Sequence, residues 1–236
     1  MGAGGKATVM KRLVREMLDA EMPVLVTSTT NLHALGEGVD ASLLVNEESR
    51  DNLGEAARVW SAREAVVWVE KKLPKNMFRG IPVEQVDNFA KEGFGGVLLV
   101  KTDGARKRLG KVPGEGEPVI PRTTTHCVVV LSLGAVGRPA GPEILHRFER
   151  SLAISGLAPG EPIGAAHLAA LAAHPESYPN RLPQKAKNAI YLSHCNTPED
   201  FGRAQEIWQA LPPDIYDLRL AGNSVAGRFY VQGASP

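Results

Sequence analysis

The first residues that could do chemistry lie in a glycine-rich segment at the start of the chain. Gly2, Gly4 and Gly5 precede Lys6, and an amphipathic pattern begins directly after them. Glycines let backbone N–H groups turn towards an anion, and the N-terminus of a helix adds positive potential. Since Lys6 can also reach terminal phosphates, the segment predicts a phosphate-binding loop. The alternative is a flexible tail before the first helix.

Two features depart from the usual phosphate-loop pattern. The residue after Lys6, where a Ser or Thr hydroxyl normally holds Mg²⁺, is Ala7, and Thr8 follows it. A phosphate loop also normally follows a strand, whereas here Met1 stands directly before the glycines. We therefore expect a loop whose first strand is missing, with Thr8 as a metal and phosphate ligand.

A carboxylate stands just beyond an apolar run. The run Val97-Leu98-Leu99-Val100 is followed by Lys101, Thr102, Asp103 and Gly104. Nucleotide-binding α/β proteins hold the Mg²⁺ shell at the carboxyl ends of such strands. The alternative is an ordinary Asp-Gly turn. Lys101 lies two positions before Asp103, on the same side of an extended chain, and so could pair with it in place of a cation.

Hydroxyls and cations supply further candidates. Thr29 and Thr30 follow an apolar run at residues 24–26 and either bind phosphate or form a cap. A basic loop suits an anionic ligand, or else is a solvated surface segment. Its cations are Arg106, Lys107, Arg108 and Lys111. The six histidines have no spacing typical of metal ligands.

Composition excludes several classes of protein. The chain has 236 residues, 27 Lys and Arg against 26 Asp and Glu, and a formal net charge of +1. That balance does not favour nucleic-acid binding, because no basic excess is present to release counterions. An apolar fraction of 43% excludes disorder. No apolar run approaches the ~20 residues of a membrane span, and two cysteines fit a reducing cytoplasm.

The pattern of the remaining chain positions these groups. Strands alternating with helices predict an α/β fold with a mostly parallel sheet and helices on both faces. We interpret residues 1–236 as a single P-loop-like domain and allow a C-terminal subregion from about residue 140. Predicted helices cover residues 6–20, 47–59, 82–92, 142–155, 163–174 and 198–211. Predicted strands cover residues 24–27, 41–45, 65–69, 97–100, 127–133 and 189–193.

These blocks, in this order, resemble the YqeC family of selenium-dependent hydroxylase accessory proteins. The resemblance extends to about residue 222, and its most specific part runs from residue 103 to residue 121. The blocks that carry it are Gly2–Thr8, Thr27–Thr30, Arg79-Gly80-Ile81-Pro82, Val86-Asp87, Asp103-Gly104-Ala105-Arg106, Lys111-Val112-Pro113, Glu117-Pro118-Val119-Ile120-Pro121, Gly137-Arg138-Pro139, His146-Arg147-Phe148-Glu149 and His174-Pro175.

The resemblance implies a P-loop-like fold that binds ATP or GTP with Mg²⁺. It also implies an accessory role in the maturation of selenium-dependent molybdenum hydroxylases, with such an enzyme or its maturation proteins as partner. Gly4, Gly5 and Lys6 then look like phosphate ligands and Asp103 like the metal-side carboxylate, which makes Lys6 and Asp103 the candidate catalytic residues. The resemblance adds pocket residues of unassigned role, namely Arg106, Lys111, Glu117 and Arg147.

The chain departs from the family pattern at the metal and at the base. Ala7 stands where the family has Thr, and Lys101 stands where it has Glu. Both changes weaken the expected Mg²⁺ environment, so hydrolysis should suffer more than binding. Residues 193–196 replace a guanine-reading Asn-Lys-x-Asp pattern. We expect a nucleotide-binding accessory protein with weak or absent hydrolysis. The alternatives are a scaffold for a partner enzyme or cofactor precursor, and a kinase or transferase for a small anion.

Overall fold

The computed structural model describes residues 1–33, 41–48, 64–93 and 95–233. Contacts divide the chain into two compact units. The first unit comprises residues 1–6, 104–118 and 124–236, and the second comprises residues 7–103 and 119–123. The single-domain interpretation stays a prediction.

The second unit is built on a parallel sheet. Strands β1, β3, β4 and β7 pair in the order β3-β4-β1-β7, and every pair is parallel. A small antiparallel sheet of β2, β6 and β5 accompanies it. The elements are α1 (Lys6–Asp19, of which Lys6 is assigned to the first unit), β1 (Val24–Ser28), β2 (Leu32–His33), β3 (Ala41–Val45), β4 (Ala65–Val69), β5 (Lys71–Leu73), β6 (Met77–Arg79), α2 (Val83–Lys91) and β7 (Val97–Lys101).

Alternation along β1 explains why a helix lies on each face of this sheet. Side chains of a strand point to opposite faces in turn. Val24 and Val26 belong to a buried cluster with Val14 of α1, while Leu25 belongs to another cluster with Phe89 of α2. The two faces therefore bury apolar side chains against different helices, as predicted for a strand that is apolar throughout.

The first unit carries a second, mostly parallel sheet. Its order is β13-β12-β11-β9, in which β9, β11 and β12 are parallel and β13 is an antiparallel edge strand. The elements are β8 (Gly110–Lys111), β9 (His126–Ser132), β10 (Leu145–His146), α3 (Phe148–Ser155), α4 (Ala165–Ala173), β11 (Lys187–Ser193), α5 (Pro198–Ala210), β12 (Leu218–Asn223) and β13 (Arg228–Val231).

Most predicted elements are confirmed within a few residues, with one clear exception. The predicted helix over residues 142–155 begins only at Phe148. Upstream of it, Leu145 and His146 form β10, which pairs in parallel with β8. Arg147 then adopts a left-handed conformation with φ of 58°, which is incompatible with continuous helix. The prediction of a helix over residues 142–147 was therefore wrong.

Three regions complete the comparison with the sequence patterns. The antiparallel β2-β6-β5 sheet and the β12–β13 hairpin were not predicted. The helix predicted over residues 47–59 lies outside the described residues from position 49 onward. Among the helices that are described, none has the length and apolar character needed to cross a bilayer.

Candidate functional site: a glycine loop and a basic cluster

The glycine loop follows a short strand-like segment. Gly2 forms a parallel bridge with Val130 of β9. The Val130 N–H donates to the carbonyl of Met1 over 2.9 Å, and the Ala3 N–H donates to the carbonyl of Val130 over 2.8 Å. Met1 to Ala3 thus extend the sheet at β9, where no strand was expected. The order in the chain is strand-like segment, glycine loop and helix.

Three glycines of the loop have backbone conformations that require glycine. Gly2, Gly4 and Gly5 have φ values of +99°, +73° and +118°, a region that side chains disfavour. Space is equally restrictive, because a Cβ on Gly2 would lie 2.1 Å from the Val130 carbonyl oxygen. A Cβ on Gly4 would lie 2.3 Å from Cβ of Ser132. The close approach of the loop to β9 therefore depends on these glycines.

Lys6 closes the loop and begins α1. Its ammonium Nζ donates to the carbonyl of Gly2, so the side chain folds back across the loop. The first N–H groups of any helix lack intrahelical acceptors and carry the positive end of the helix dipole. Ala7, the next residue, is exposed. Backbone amides and one ammonium are therefore gathered at one end of α1.

Two serines and a histidine that sequence reasoning did not select border this loop. Ser132 ends β9 and Ser193 ends β11, at opposite positions of the parallel pair. His194 Nδ1 lies 2.9 Å from Ser132 Oγ and 3.0 Å from Ser193 Oγ. A Cβ on Gly5 would lie 3.9 Å from Cε1 of His194, which places the ring beside the loop. The sequence signal that could have found them is a serine at or near the end of each of two predicted strands.

The hydrogen bonds orient the imidazole of His194. The Ser193 hydroxyl donates to the Gly4 carbonyl, and a hydroxyl has only one proton to donate. Both serine hydroxyls lie within hydrogen-bond distance of Nδ1, so the ring is held on its Nδ1 side, and Nε2 makes no hydrogen bond to the described residues. His194 also has φ of +61°. Strained conformations of this kind are enriched at functional sites.

A separate cluster of the first unit joins three of the predicted pocket residues. Lys111 is fully buried and donates to Glu117 Oε2 over 2.7 Å and to the Gly104 carbonyl over 2.6 Å. Arg147 NH1 lies 3.1 Å from the same carboxylate oxygen. Burial opposes ionisation of Glu117, but the hydrogen bonds and charges of Arg147 and Lys111 lower its pKa below the usual value. The structure therefore brings Lys111, Glu117 and Arg147 together, and that they line a ligand pocket stays a prediction.

The pKa of His146 reflects the charges of this cluster. The register of β8 and β10 sets Lys111 opposite His146. Burial lowers the pKa of His146, and the charges of Arg147, Lys111 and Arg106 lower it further, against a smaller opposing effect of Glu117. The imidazole is therefore neutral at pH 7, and positive charge dominates its surroundings.

The other predicted ligands belong to the second unit. Asp103 is fully buried just beyond β7. The hydroxyl of Thr29 donates to the Val119 carbonyl over 2.6 Å, and Thr30 Oγ1 accepts from Lys101 Nζ over 3.1 Å. Thr8 lies half-buried in α1. That these residues share one ligand with Lys6 stays a prediction.

No metal centre is formed by protein side chains alone in the described part of the chain. No group of three or more His, Cys, Asp or Glu residues within residues 1–33, 41–48, 64–93 and 95–233 is arranged to hold a metal ion. Mg²⁺ in nucleotide sites is held largely by phosphate oxygens and water, so it does not need such a group.

Fold and site together define an α/β protein with a glycine loop at the start of its first helix. The family model described as "YqeC protein" matches residues 1–149, and the chain therefore belongs to the YqeC family. A relative from Escherichia coli (strain K12), described as "Uncharacterized protein YqeC", is 24% identical over 217 residues, covering 89% of this chain and 80% of that protein. No solved structure matches the chain.

Proposed function

We propose that this protein binds ATP or GTP, with the phosphates held by the loop from Gly2 to Lys6. The observation that carries the proposal is the loop itself. Gly4 and Gly5 adopt conformations open to glycine, and Lys6 folds across the loop at the N-terminus of α1. Backbone amides, a helix dipole and an ammonium form the usual combination for polyphosphate binding.

His194 extends this proposal to a side chain. Its ring lies beside Gly5, and its Nδ1 is held by two serine hydroxyls. Nε2 then hydrogen-bonds the bound nucleotide. We expect His194→Ala to weaken nucleotide binding about tenfold, the effect of about 1.4 kcal/mol. The control is His126→Ala, an exposed histidine at the opposite end of β9.

The residues around the proposed metal support binding more than hydrolysis. Thr8 and Asp103 are the side chains we assign to Mg²⁺, which would neutralise charge on the phosphates. The position after Lys6 carries only the methyl group of Ala7. Lys101 adds a cation two residues before Asp103. We therefore propose weak or absent hydrolysis.

Family membership supports an accessory role as the biological context. We propose that the nucleotide-bound protein serves the maturation of selenium-dependent molybdenum hydroxylases, as the resemblance implies. The partner is such an enzyme or one of its maturation proteins. Co-purification of the nucleotide-loaded protein with a selenium-dependent hydroxylase tests this role, and equal recovery with and without nucleotide would contradict it.

Calorimetric titration with ATP and GTP, with and without Mg²⁺, tests the binding proposal. We expect at least one nucleotide to bind, and Lys6→Ala to weaken binding at least about tenfold because the ammonium is removed from the phosphates. Lys11→Ala removes the same charge from the same helix and should change affinity less than about twofold. No binding by the wild type, or equal effects of the two variants, would refute the proposal.

A further inference from the structure

The basic cluster of the first unit has features of a ligand site that the proposed nucleotide site does not use. Its centre is Arg147, whose backbone is left-handed and whose side chain is about one-third exposed. A Cβ on Gly114 would lie 2.5 to 2.6 Å from NH2, Cζ and Nε of Arg147. Nearly equal distances to three guanidinium atoms show that Gly114 packs against the face of the group. The side chain is therefore fixed by contact with backbone before any ligand arrives.

The hydrogen bonds of Arg147 occupy only one of its nitrogens among the described residues. NH1 interacts with Glu117 Oε2 and, over 3.4 Å, with the Val112 carbonyl. Guanidinium recognises carboxylate and phosphate groups through paired N–H donors. Nε and NH2 donate no hydrogen bond to the described residues, although Gly114 packs against the guanidinium face beside them. Arg147 is thus oriented by Glu117 and still offers a bidentate edge.

Lys111 and Glu117 act as the support of that arrangement. Lys111 is buried, its carbonyl accepts from Tyr178 over 2.9 Å, and its ammonium binds the carboxylate that also binds Arg147. Arg181 donates to the main-chain carbonyl of Glu117 over 2.8 Å. Each of these contacts restrains the carboxylate. Lys111 and Glu117 are therefore positioning residues.

Two further groups lie near this cluster. His146 lies opposite Lys111 across the β8–β10 pair. Exposed Arg106 follows, two residues later, Gly104, whose carbonyl accepts from the Lys111 ammonium. Among these residues three cations, Arg106, Lys111 and Arg147, accompany the single carboxylate of Glu117, so positive charge exceeds negative charge. A bound anion would offset this excess.

We propose that Arg106, His146 and Arg147 form a second site, which binds a small oxyanion bearing carboxylate or phosphate groups and is separate from the glycine loop. The site does not depend on nucleotide binding, so it stands or fails independently of the proposed function. It gives the small-anion hypothesis of the sequence analysis a specific location. The ligand is a co-substrate or effector with at least one group able to take two N–H donors.

The test uses inorganic phosphate and malonate as separate probes on the full chain. Each is titrated into the wild type saturated with the better-binding nucleotide, and into Lys6→Ala without nucleotide. We expect one probe to bind in both settings, and its identity distinguishes phosphate from carboxylate as the recognised group. Failure of the proposed nucleotide function leaves the Lys6→Ala titration valid, so the two failures are distinguishable.

Charge reversal provides the matched variants. Arg106→Glu should weaken probe binding at least about tenfold, because it places a carboxylate in the site. Lys107→Glu makes the same change at the next exposed residue and should alter binding less than about twofold. Arg147→Lys keeps the charge but loses the paired donors, and should weaken binding about fivefold. Circular dichroism on each variant checks folding.

The proposal is overturned by any of three results. The first is that neither probe binds at millimolar concentration. The second is that probe binding is lost both in Lys6→Ala and in the nucleotide-saturated wild type, which would locate the anion at the glycine loop. The third is equal loss in Arg106→Glu and Lys107→Glu, which would mean that only overall charge matters.

Discussion

The glycine loop of the first unit and the turn after β1 in the second unit both carry polar groups at strand ends but differ in their backbone. At the loop, Lys6 donates to the Gly2 carbonyl and Ser193 to the Gly4 carbonyl, and Gly2, Gly4 and Gly5 have positive φ. At the turn, Ser28 donates to the Lys101 carbonyl, and Thr29 donates to Val119. Hydroxyls of the turn therefore join segments of the chain. The loop differs from the turn in its backbone, because glycines with positive φ leave amides next to the first turn of α1, so glycine conformation marks the candidate site better than polar strand ends do.

The largest effect is expected from Gly4→Ala in the loop. A Cβ there would lie 2.3 Å from Ser132 Cβ and 2.9 Å from the Leu109 carbonyl, with φ of +73°. We expect about 2–3 kcal/mol loss of stability, from overpacking and left-handed strain, and loss of nucleotide binding. Chemical denaturation and calorimetry measure the two effects.

The control for this variant is Gly202→Ala. Gly202 lies within α5, where an added Cβ meets nothing within 4 Å. We expect stability to rise by about 0.5–1 kcal/mol, because alanine is the better helix former, and nucleotide affinity to stay unchanged. Retention of nucleotide binding by Gly4→Ala would show that the loop is not a phosphate site.

In the second unit we expect Asp87→Asn to reduce stability without affecting ligands. Asp87 accepts from the main-chain N–H of Arg122 and from the N–H and hydroxyl of Thr123, over 2.8 to 3.1 Å. Hydrogen bonds to a charged acceptor predict a loss of about 2 kcal/mol, measured by urea denaturation at pH 7.

The effect of Asp87→Asn has a defined pH dependence. Burial raises the pKa of Asp87, but the bonds from Thr123 and Arg122 outweigh it and hold the pKa below the ordinary 3.8. The stabilisation is therefore complete above pH 3.8 and disappears as pH falls through the lower folded-state pKa. Wild type and variant should converge under strongly acidic conditions. A stability difference that stays constant down to pH 2 would contradict this role.

A smaller effect is expected from Lys101→Met. The ammonium of Lys101 donates to Thr30 Oγ1 and to the Asn31 carbonyl, and the residue is half-buried. Partial exposure limits the expected loss of stability to about 1 kcal/mol. Nucleotide affinity should change less than about twofold. A large gain in Mg²⁺-dependent affinity would instead mean that Lys101 takes the place of the metal.

The smallest effect concerns Ala7→Thr. Ala7 is exposed in the first turn of α1, so the larger side chain should cost less than about 0.7 kcal/mol of stability. The added hydroxyl restores a metal ligand, and we expect nucleotide affinity to become about two- to fivefold more dependent on Mg²⁺. Titrations with and without Mg²⁺ measure this ratio, for which Ala7→Val is the control without a hydroxyl.

Local sequence patterns predicted the elements whose conformation is set by residues close together in the chain. The apolar run at residues 97–100 became β7, and the glycines before Lys6 became a loop at the start of α1. Glycine conformation and helix periodicity are properties of short segments. The family resemblance is confirmed by the family model.

The features that depend on pairing between distant segments could not be predicted from the sequence. His194 is oriented by Ser132, 62 residues earlier, through the register of two parallel strands. The two-residue strands β8 and β10 pair across more than thirty positions, and β10 lies where the start of a helix was predicted. Neither arrangement leaves a periodic signal within one segment, because both depend on contacts formed only after the sheet assembles.

Backbone amide NMR during a titration with ATP and GTP reports where the phosphates bind. We predict that the amide signals of Gly4, Gly5 and Lys6 shift most, and that these shifts vanish in Lys6→Ala while Lys11→Ala retains them. Nucleotide-induced shifts that cluster elsewhere and leave the three loop amides unmoved would contradict the account.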